Sequence, residues 1–364
     1  MANLKDLLTK FAGKKEIESA VGVDIGSSAI KVVQIKRKHS KAVLETYGTL
    51  SLGPYANQEV GMTTNLDTDT LAKALVDTLR ESNVTSKDIA MAIPASASLI
   101  FNIEIPGVVP EKDIGKIIPT EARKYIPVPI GEVTLDWSII PQVKHVDEDG
   151  AVPPHQILLA AIQNDTLAKY KEVAQKASLM SGFYEIEIFS SIRSSVKNDL
   201  ATTMIIDFGA LKTKIAVMEY GIVRTFHLVN KGSRDITSNM AKSIGTPFAR
   251  AEEMKREGGM TQSSDAAVSD IARLVVDQIF REANTTLFNY EKKHNKAVSK
   301  IILSGGGSLM KGFMEEAKRA FHSEVELSDP FDKTESPAFL QDVLAQVGPE
   351  FAVAVGLALR RLQS

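Results

Sequence analysis

Two acidic residues stand where an apolar chain has little use for them. In "VGVDIGSSAIKVVQI" (21–35), Asp24 ends one apolar run, and Gly26, Ser27 and Ser28 separate it from the next. In "MIIDFGALKTKIAVM" (204–218), Asp207 and Gly209 hold the same places. Lys31 and Lys214 each follow their aspartate by seven residues. A carboxylate at the end of an apolar strand is costly unless something pairs with it. Glycine beside it lets backbone come close to a ligand, and turn amides can point at phosphate oxygens. Magnesium is held by a few carboxylates, waters and substrate phosphates. The pattern predicts a metal–phosphate site. Asp24 and Asp207 would hold the metal. Gly26, Ser27, Ser28, Lys31, Gly209 and Ala210 would surround the phosphates. A third turn, Gly305-Gly306-Gly307, follows the apolar run Ile301–Leu303, and a helix is expected to start near Ser308. Such a turn packs against a flat ring or ribose, and the helix start favours negative charge.

The elements around these turns repeat. Each aspartate sits between two apolar strands, and a charged turn leads to a third, alternating strand, "AVLETYGTL" in one copy and "GIVRTFHLV" in the other. Two three-strand meanders half a chain apart predict an internally duplicated α/β protein. Between them, helical spacing places Leu71, Leu75 and Leu79 on one face, with Asp67 or Asp69 as cap. A second helix is expected after a cap at Asn164 or Asp165. A long one, over 264–293, would turn Ile271, Leu274, Val275, Ile279 and Phe280 inward. Strands are expected at "DIAMAIP" and "HQILLAAI". The proline-rich stretch 94–141 interrupts the rhythm and reads as an inserted subdomain with one helix, "EKDIGKIIPTEARKYI", and one strand, "EVTLDWSII". At the start, Leu4, Leu7, Leu8 and Phe11 lie at helical spacing among Lys5, Lys10, Lys14 and Lys15. That helix would dock on protein or lie on a membrane surface.

Composition removes several classes. The 364 residues are 44% hydrophobic, enough for a large core in two or three domains. The net charge of −2 predicts no nucleic-acid surface. Without cysteine there is no thiol nucleophile or Cys-held metal. The six histidines lack metal-ligand spacing, and neither a P-loop nor a dinucleotide fingerprint occurs. No run of about 18 apolar residues predicts a membrane span.

Together the three turns resemble the nucleotide motifs of the actin-like ATPase superfamily, which includes actin, the heat-shock ATPases, sugar kinases and FtsA. "VGVDIGSSAIKVVQI", "TEARKYIPVPIGEVTLDW", "NKGSRDITSNMAKSIGTPFARAEEMKRE" and the closing "GLALR" resemble the PilM family of type IV pilus assembly. The resemblance implies a duplicated actin-like ATPase fold with an inserted FtsA-type 1C subdomain. The divisions would be an N-terminal amphipathic helix over 1–18, the first lobe over 19–87 and 163–200, the insert over 88–162, the second lobe over 201–345, and a closing helix over 346–364. Two helices would join the lobes, one over 184–195 and one in "EFAVAVGLALRR", both with small residues where helices would cross closely. FtsA continues into a linker and a membrane helix, whereas this sequence stops at Ser364, so the PilM plan is expected.

The resemblance also implies ATP and magnesium as ligands, and further site residues. Glu252 and Lys255 would line the adenosine pocket, with Gly232 and Asp235 close to the nucleotide. Glu187 would position an attacking water, with Glu185 two residues away as the rival. The second loop departs from the "DIGGGTT" of active relatives: Leu211 and Lys212 replace small residues, so ATP binding with slow hydrolysis is expected. Lys212 or Lys214 could still contribute a cation, but each reads first as a solvated strand lysine. The implied partner is the cytoplasmic N-terminal tail of a PilN-like inner-membrane protein. It would lie in a groove bordered by Glu121, Tyr125, Ile126 and Pro127, at the inner face of the cytoplasmic membrane. A hydrolysing ATPase and an FtsA-like filament former are the alternatives.

Overall fold

The computed structural model describes residues 17–141, 152–197, 201–261 and 265–363. The expected N-terminal helix lies outside them. Strands β1 (Ser19–Ile25), β2 (Ala29–Lys38), β3 (Lys41–Ser51), β4 (Asp88–Ile93) and β8 (Met180–Ile186) form one sheet in the order β3-β2-β1-β4-β8. Strands β9 (Thr203–Phe208), β10 (Thr213–Glu219), β11 (Ile222–Val229), β12 (Lys300–Ser304) and β13 (Glu324–Leu327) form a second in the order β11-β10-β9-β12-β13. The two orders are one topology used twice. In each, an antiparallel meander is followed by two strands that join parallel. The duplication reaches single residues. Asp24 faces Lys31 across β1 and β2, and Asp207 faces Lys214 across β9 and β10. Both turns close alike: the Gly26 amide donates to Ala29 O at 3.0 Å, and the Gly209 amide to Lys212 O at 3.2 Å.

Helices cover the sheets. In the first lobe α1 (Thr68–Glu81) is capped by Asp67, whose carboxylate accepts from the Thr70 amide at 2.9 Å. Its Leu71, Leu75 and Leu79 pack on Val21, Val23 and Met91 together with Tyr170 and Val173 of α3 (Asn164–Lys176). The expected caps of α3 do not form. Asn164 turns away, donating to Gly131 O and accepting from Thr134, which ties the helix to the insert. In the second lobe α7 (Ala266–His294) buries Val268, Ala272, Val275, Val276, Ile279 and Phe280. Leu274, expected inside, is 65% exposed, because the buried stripe runs through Ala272 and Val276 instead. The remaining helices of that lobe are α5 (Ser233–Ile244), α6 (Phe248–Gly258) and α8 (Phe313–Ala320). A short 3-10 turn, Gly306–Leu309, stands where a helix start was expected, and α8 begins only after Gly312.

The insert is a three-stranded sheet, β5-β7-β6, of β5 (Ser98–Ile105), β6 (Val133–Ile139) and β7 (His155–Gln163), with α2 (Glu111–Ala122) packed on it. Asp88–Ile93, expected inside the insert, pairs instead with β1 and β8, so the insert's sheet starts at Ser98. Ile126, expected to border a groove, is buried in the insert's core with Ile114, Ile118 and Ile157. Tyr125 and Pro127 are exposed, and Glu121 pairs with Lys124.

Two helices join the lobes. The first, α4, spans Glu187–Ser195; the chain is still strand through Ile186, so the helix is shorter than expected. The second, α9 (Gln341–Gln363), begins earlier than expected. Although Ala338–Gln363 is apolar enough to cross a membrane by composition, 67% of its apolar window is buried in the fold. It crosses β1 at Gly22 and α4 at Gly356, where backbones meet.

Candidate nucleotide site

The two aspartate turns and the glycine turn meet. A cavity of about 600 Å³ opens between the lobes, within the range of small-molecule sites. Asp24, Gly26, Ser27, Ser28 and Lys31 line it from one side, and Asp207, Gly209, Ala210 and Lys214 from the other. Gly305, Gly306 and Gly307 complete the wall, with Glu187, Glu252 and Lys255. Gly232 and Asp235 stay outside. The Asp235 carboxylate turns back to accept from the Gly232 amide at 2.8 Å and caps α5, so Ser233 and Arg234 face the cavity instead. Glu121, Tyr125, Ile126 and Pro127 are on the insert, away from it.

The floor is a charge network. Lys214, expected in solvent, is buried between the lobes. Its ammonium donates to Glu187 at 2.9 Å and lies 3.0 Å from Asp207. Burial disfavours its charge, but Asp207 and Glu187 outweigh burial and raise its pKa above the ordinary value. The other Glu187 oxygen accepts the Ala95 amide at 2.9 Å. Glu185 is engaged elsewhere, in a bidentate pair with Arg193 at 2.6 Å, so Glu187 alone of the two faces the cavity. Asp24 is buried at 7% exposure, and its nearest cation, Lys31, stands 3.8 Å away. Burial pushes its carboxyl up from 3.8 to about 6; Lys31 opposes the shift, and Glu187 and Asp207 add to it.

On the opposite wall Glu252 accepts from Thr237 at 2.6 Å, Lys255 at 2.7 Å and Arg256 at 2.9 Å. Burial alone would raise the Glu252 carboxyl, but Lys255 and these hydrogen bonds hold it below the usual range. Burial in turn lowers the Lys255 ammonium. The pair is therefore not the solvated face that a polar helix suggests. Two buried polar atoms of the cavity lining, Thr64 Oγ1 and Arg234 Nε, have no protein partner. Buried groups of this kind ordinarily have one.

These residues fit a nucleotide: a cationic cavity, orphan donors, and a glycine wall. They do not fit a metal ion shared by Asp24 and Asp207. Lys214 already occupies Asp207, and no cluster of three or more acidic or histidine side chains suited to a metal occurs among the described residues. Asp24 is the one carboxylate of the three without a close hydrogen-bonding cation.

The family model described as type IV pilus assembly protein PilM matches residues 22–362. The chain belongs to the PilM family. A solved PilM–PilN type IV pilus biogenesis complex has a TM-score of 0.80 with it, over 96% of this chain and 100% of that one, at 23% identity. MreB5 of Spiroplasma citri, solved with ADP, has a TM-score of 0.53 at 11% identity, over 94% of this chain and 95% of that one. FtsA of Staphylococcus epidermidis is 23% identical over 288 residues, 71% of this chain and 58% of FtsA. FtsA of Escherichia coli K12 is 26% identical over 182 residues, 42% of each chain. The chain thus spans about half the length of these curated relatives. The fold is actin-like and duplicated, with an inserted three-stranded subdomain.

Sequence reasoning missed Arg234, Thr64, Arg256 and Glu350 in this PilM family cavity. Arg234 and Arg256 had a usable signal, since they adjoin Asp235 in "KGSRDIT" and Lys255 in "AEEMKRE"; Thr64 and Glu350 had none.

Asp24 carries the first prediction. Between pH 3.8 and about 6 the folded chain holds a proton on Asp24 that the unfolded chain has released. Stability therefore falls as pH rises through that window. Above it, the buried charge costs about 3 kcal/mol. Asp24→Asn is expected to melt several degrees higher than wild type at neutral pH, and to lose most of that advantage in acid. Melting curves across pH check this; a variant that melts lower at neutral pH contradicts it.

Proposed function

We propose that the chain is a nucleotide-dependent scaffold of type IV pilus assembly. It binds ATP between its lobes. It receives the cytoplasmic tail of a PilN-like inner-membrane protein between the first lobe and the insert, at the inner face of the membrane. The observation that carries the nucleotide half is the meeting of all three glycine turns in one cationic cavity. The fold it shares with MreB5, solved with ADP, supports the same half. The likeness to a PilM–PilN complex supports the partner half. Scaffolding is favoured over rapid hydrolysis because both oxygens of Glu187 already accept a hydrogen bond, one of them from an ammonium that weakens it as a base.

Gly306 gives a test that spares the fold. A Cβ there would meet only the Glu350 side chain, at 3.7 Å, whereas one at Gly305 or Gly307 would strike Asp207 or the Phe208 ring. Gly306→Val fills the cavity instead. It is expected to weaken ATP at least about tenfold by calorimetry, with melting within about 2 °C of wild type. Unchanged ATP affinity sinks the placement. A PilN-like tail peptide should bind in a separate titration, more tightly with ATP present. Its ordering on binding keeps the affinity modest. No binding with or without ATP removes the partner.

A further inference from the structure

The duplicated Asp–Lys pairs have diverged. In the first lobe the pair is loose: Lys31 is 3.8 Å from Asp24 and 4.0 Å from Glu350. In the second lobe it is locked: Lys214 holds Asp207 at 3.0 Å and reaches Glu187 at 2.9 Å. Glu187 is the first residue of α4, and its other oxygen is anchored to the first lobe through the Ala95 amide. Lys214 thus joins carboxylates of both lobes at the point where the two aspartate turns converge. It is 8% exposed, with no room for an exchangeable ion between it and its partners.

We propose that Lys214 serves as the protein's own cation between Asp207 and Glu187, in place of a divalent metal, and that the cleft retains nucleotide without one. This rests on the nucleotide reading above and adds the source of positive charge. Two consequences follow from charge alone. Lys214 cancels one of the two charges of Asp207 and Glu187 before any ligand arrives, so they attract a metal ion and repel phosphates less than a bare pair would. The lobes are also linked across the cleft floor in the nucleotide-free protein, a task otherwise left to the ligand. Lys31, held loosely, is the lysine free to swing onto a phosphate.

The test has two arms on the full chain. In the first, ATP binding is measured by calorimetry in magnesium and in excess chelator. The affinities are expected to agree within about tenfold; a larger loss on chelation overturns the proposal. In the second, manganese alone is titrated and followed by electron paramagnetic resonance. Wild type is expected to bind none in the cleft. Lys214→Ala, which leaves Asp207 and Glu187 without their cation, is expected to bind manganese more tightly than wild type. If that variant fails to fold, Lys214→Ala combined with Glu187→Gln removes the surplus charge and keeps two carboxylates for the ion. Manganese bound by wild type as tightly as by the variant overturns the proposal. Failure of ATP to bind in both buffers would sink the nucleotide reading instead, and the manganese arm decides the role of Lys214 without it.

Discussion

Gly356→Val is expected to destabilise the protein by more than about 3 kcal/mol and to lower its melting temperature by about 4 °C or more. At this position a Cβ would lie 1.9 Å from Ser190 O and 2.5 Å from Ser190 C. These are backbone atoms of α4, so no side chain can rotate aside. The helices must part, and parting breaks the bonds that hold them: Ser194 Oγ to Ala352 O at 2.6 Å, and Arg193 to Gly356 O at 3.1 Å. The damage reaches the site, since α4 presents Glu187 and α9 presents Glu350 to the cavity. ATP affinity should fall with stability. Gly131→Ala is the control, because a Cβ there meets nothing within 4 Å. A Gly356→Val protein melting within about 2 °C of wild type would show that the crossing is looser than its backbone separation implies.

The parts of this fold that a sequence reader can see are those written twice. Asp24, Gly26 and Lys31 match Asp207, Gly209 and Lys214 in order and spacing, and the structure places both sets in the same register of the same sheet topology. The small residues of α9 were equally legible, because a close helix crossing requires them. What failed to show is set by three-dimensional competition. Lys214 looks like any solvated strand lysine until α4 brings Glu187 against it. Asn164 has the chemistry of a helix cap, yet Gly131 and Thr134 of the insert claim its side chain. Asp235 sits in a motif that resembles a nucleotide contact, but its own helix start takes the carboxylate. Leu274 fits the helical period as well as Ala272 does; only the neighbouring elements decide which face is covered. In each case residue type announces a polar or apolar need, and the packing decides who meets it.

Lys214→Met is expected to cost about 3–5 kcal/mol, because it leaves a buried charge uncompensated. Methionine nearly matches lysine in length, so the volume is kept and the charge alone is lost. Asp207 and Glu187 then face Asp24 across a buried floor, and Lys214 is one of the two cations that restrain the Asp24 carboxyl. Removing it leaves burial and the neighbouring carboxylates less opposed, so the proton affinity of the cluster rises in the folded state. Groups with raised carboxyl pKa values lose stability as pH rises through those values. The variant should therefore be most defective at neutral pH and recover as the solution is acidified. Lys31→Met is the comparison. Its contacts at 3.8 and 4.0 Å are looser, and its loss should cost less than that of Lys214. Adding Asp207→Asn or Glu187→Gln to Lys214→Met should restore part of the melting temperature, since each removes one unpaired charge. Melting across pH for the single and double variants decides the matter. A Lys214→Met protein as stable as wild type at every pH would mean that the ammonium does not hold the two lobes together.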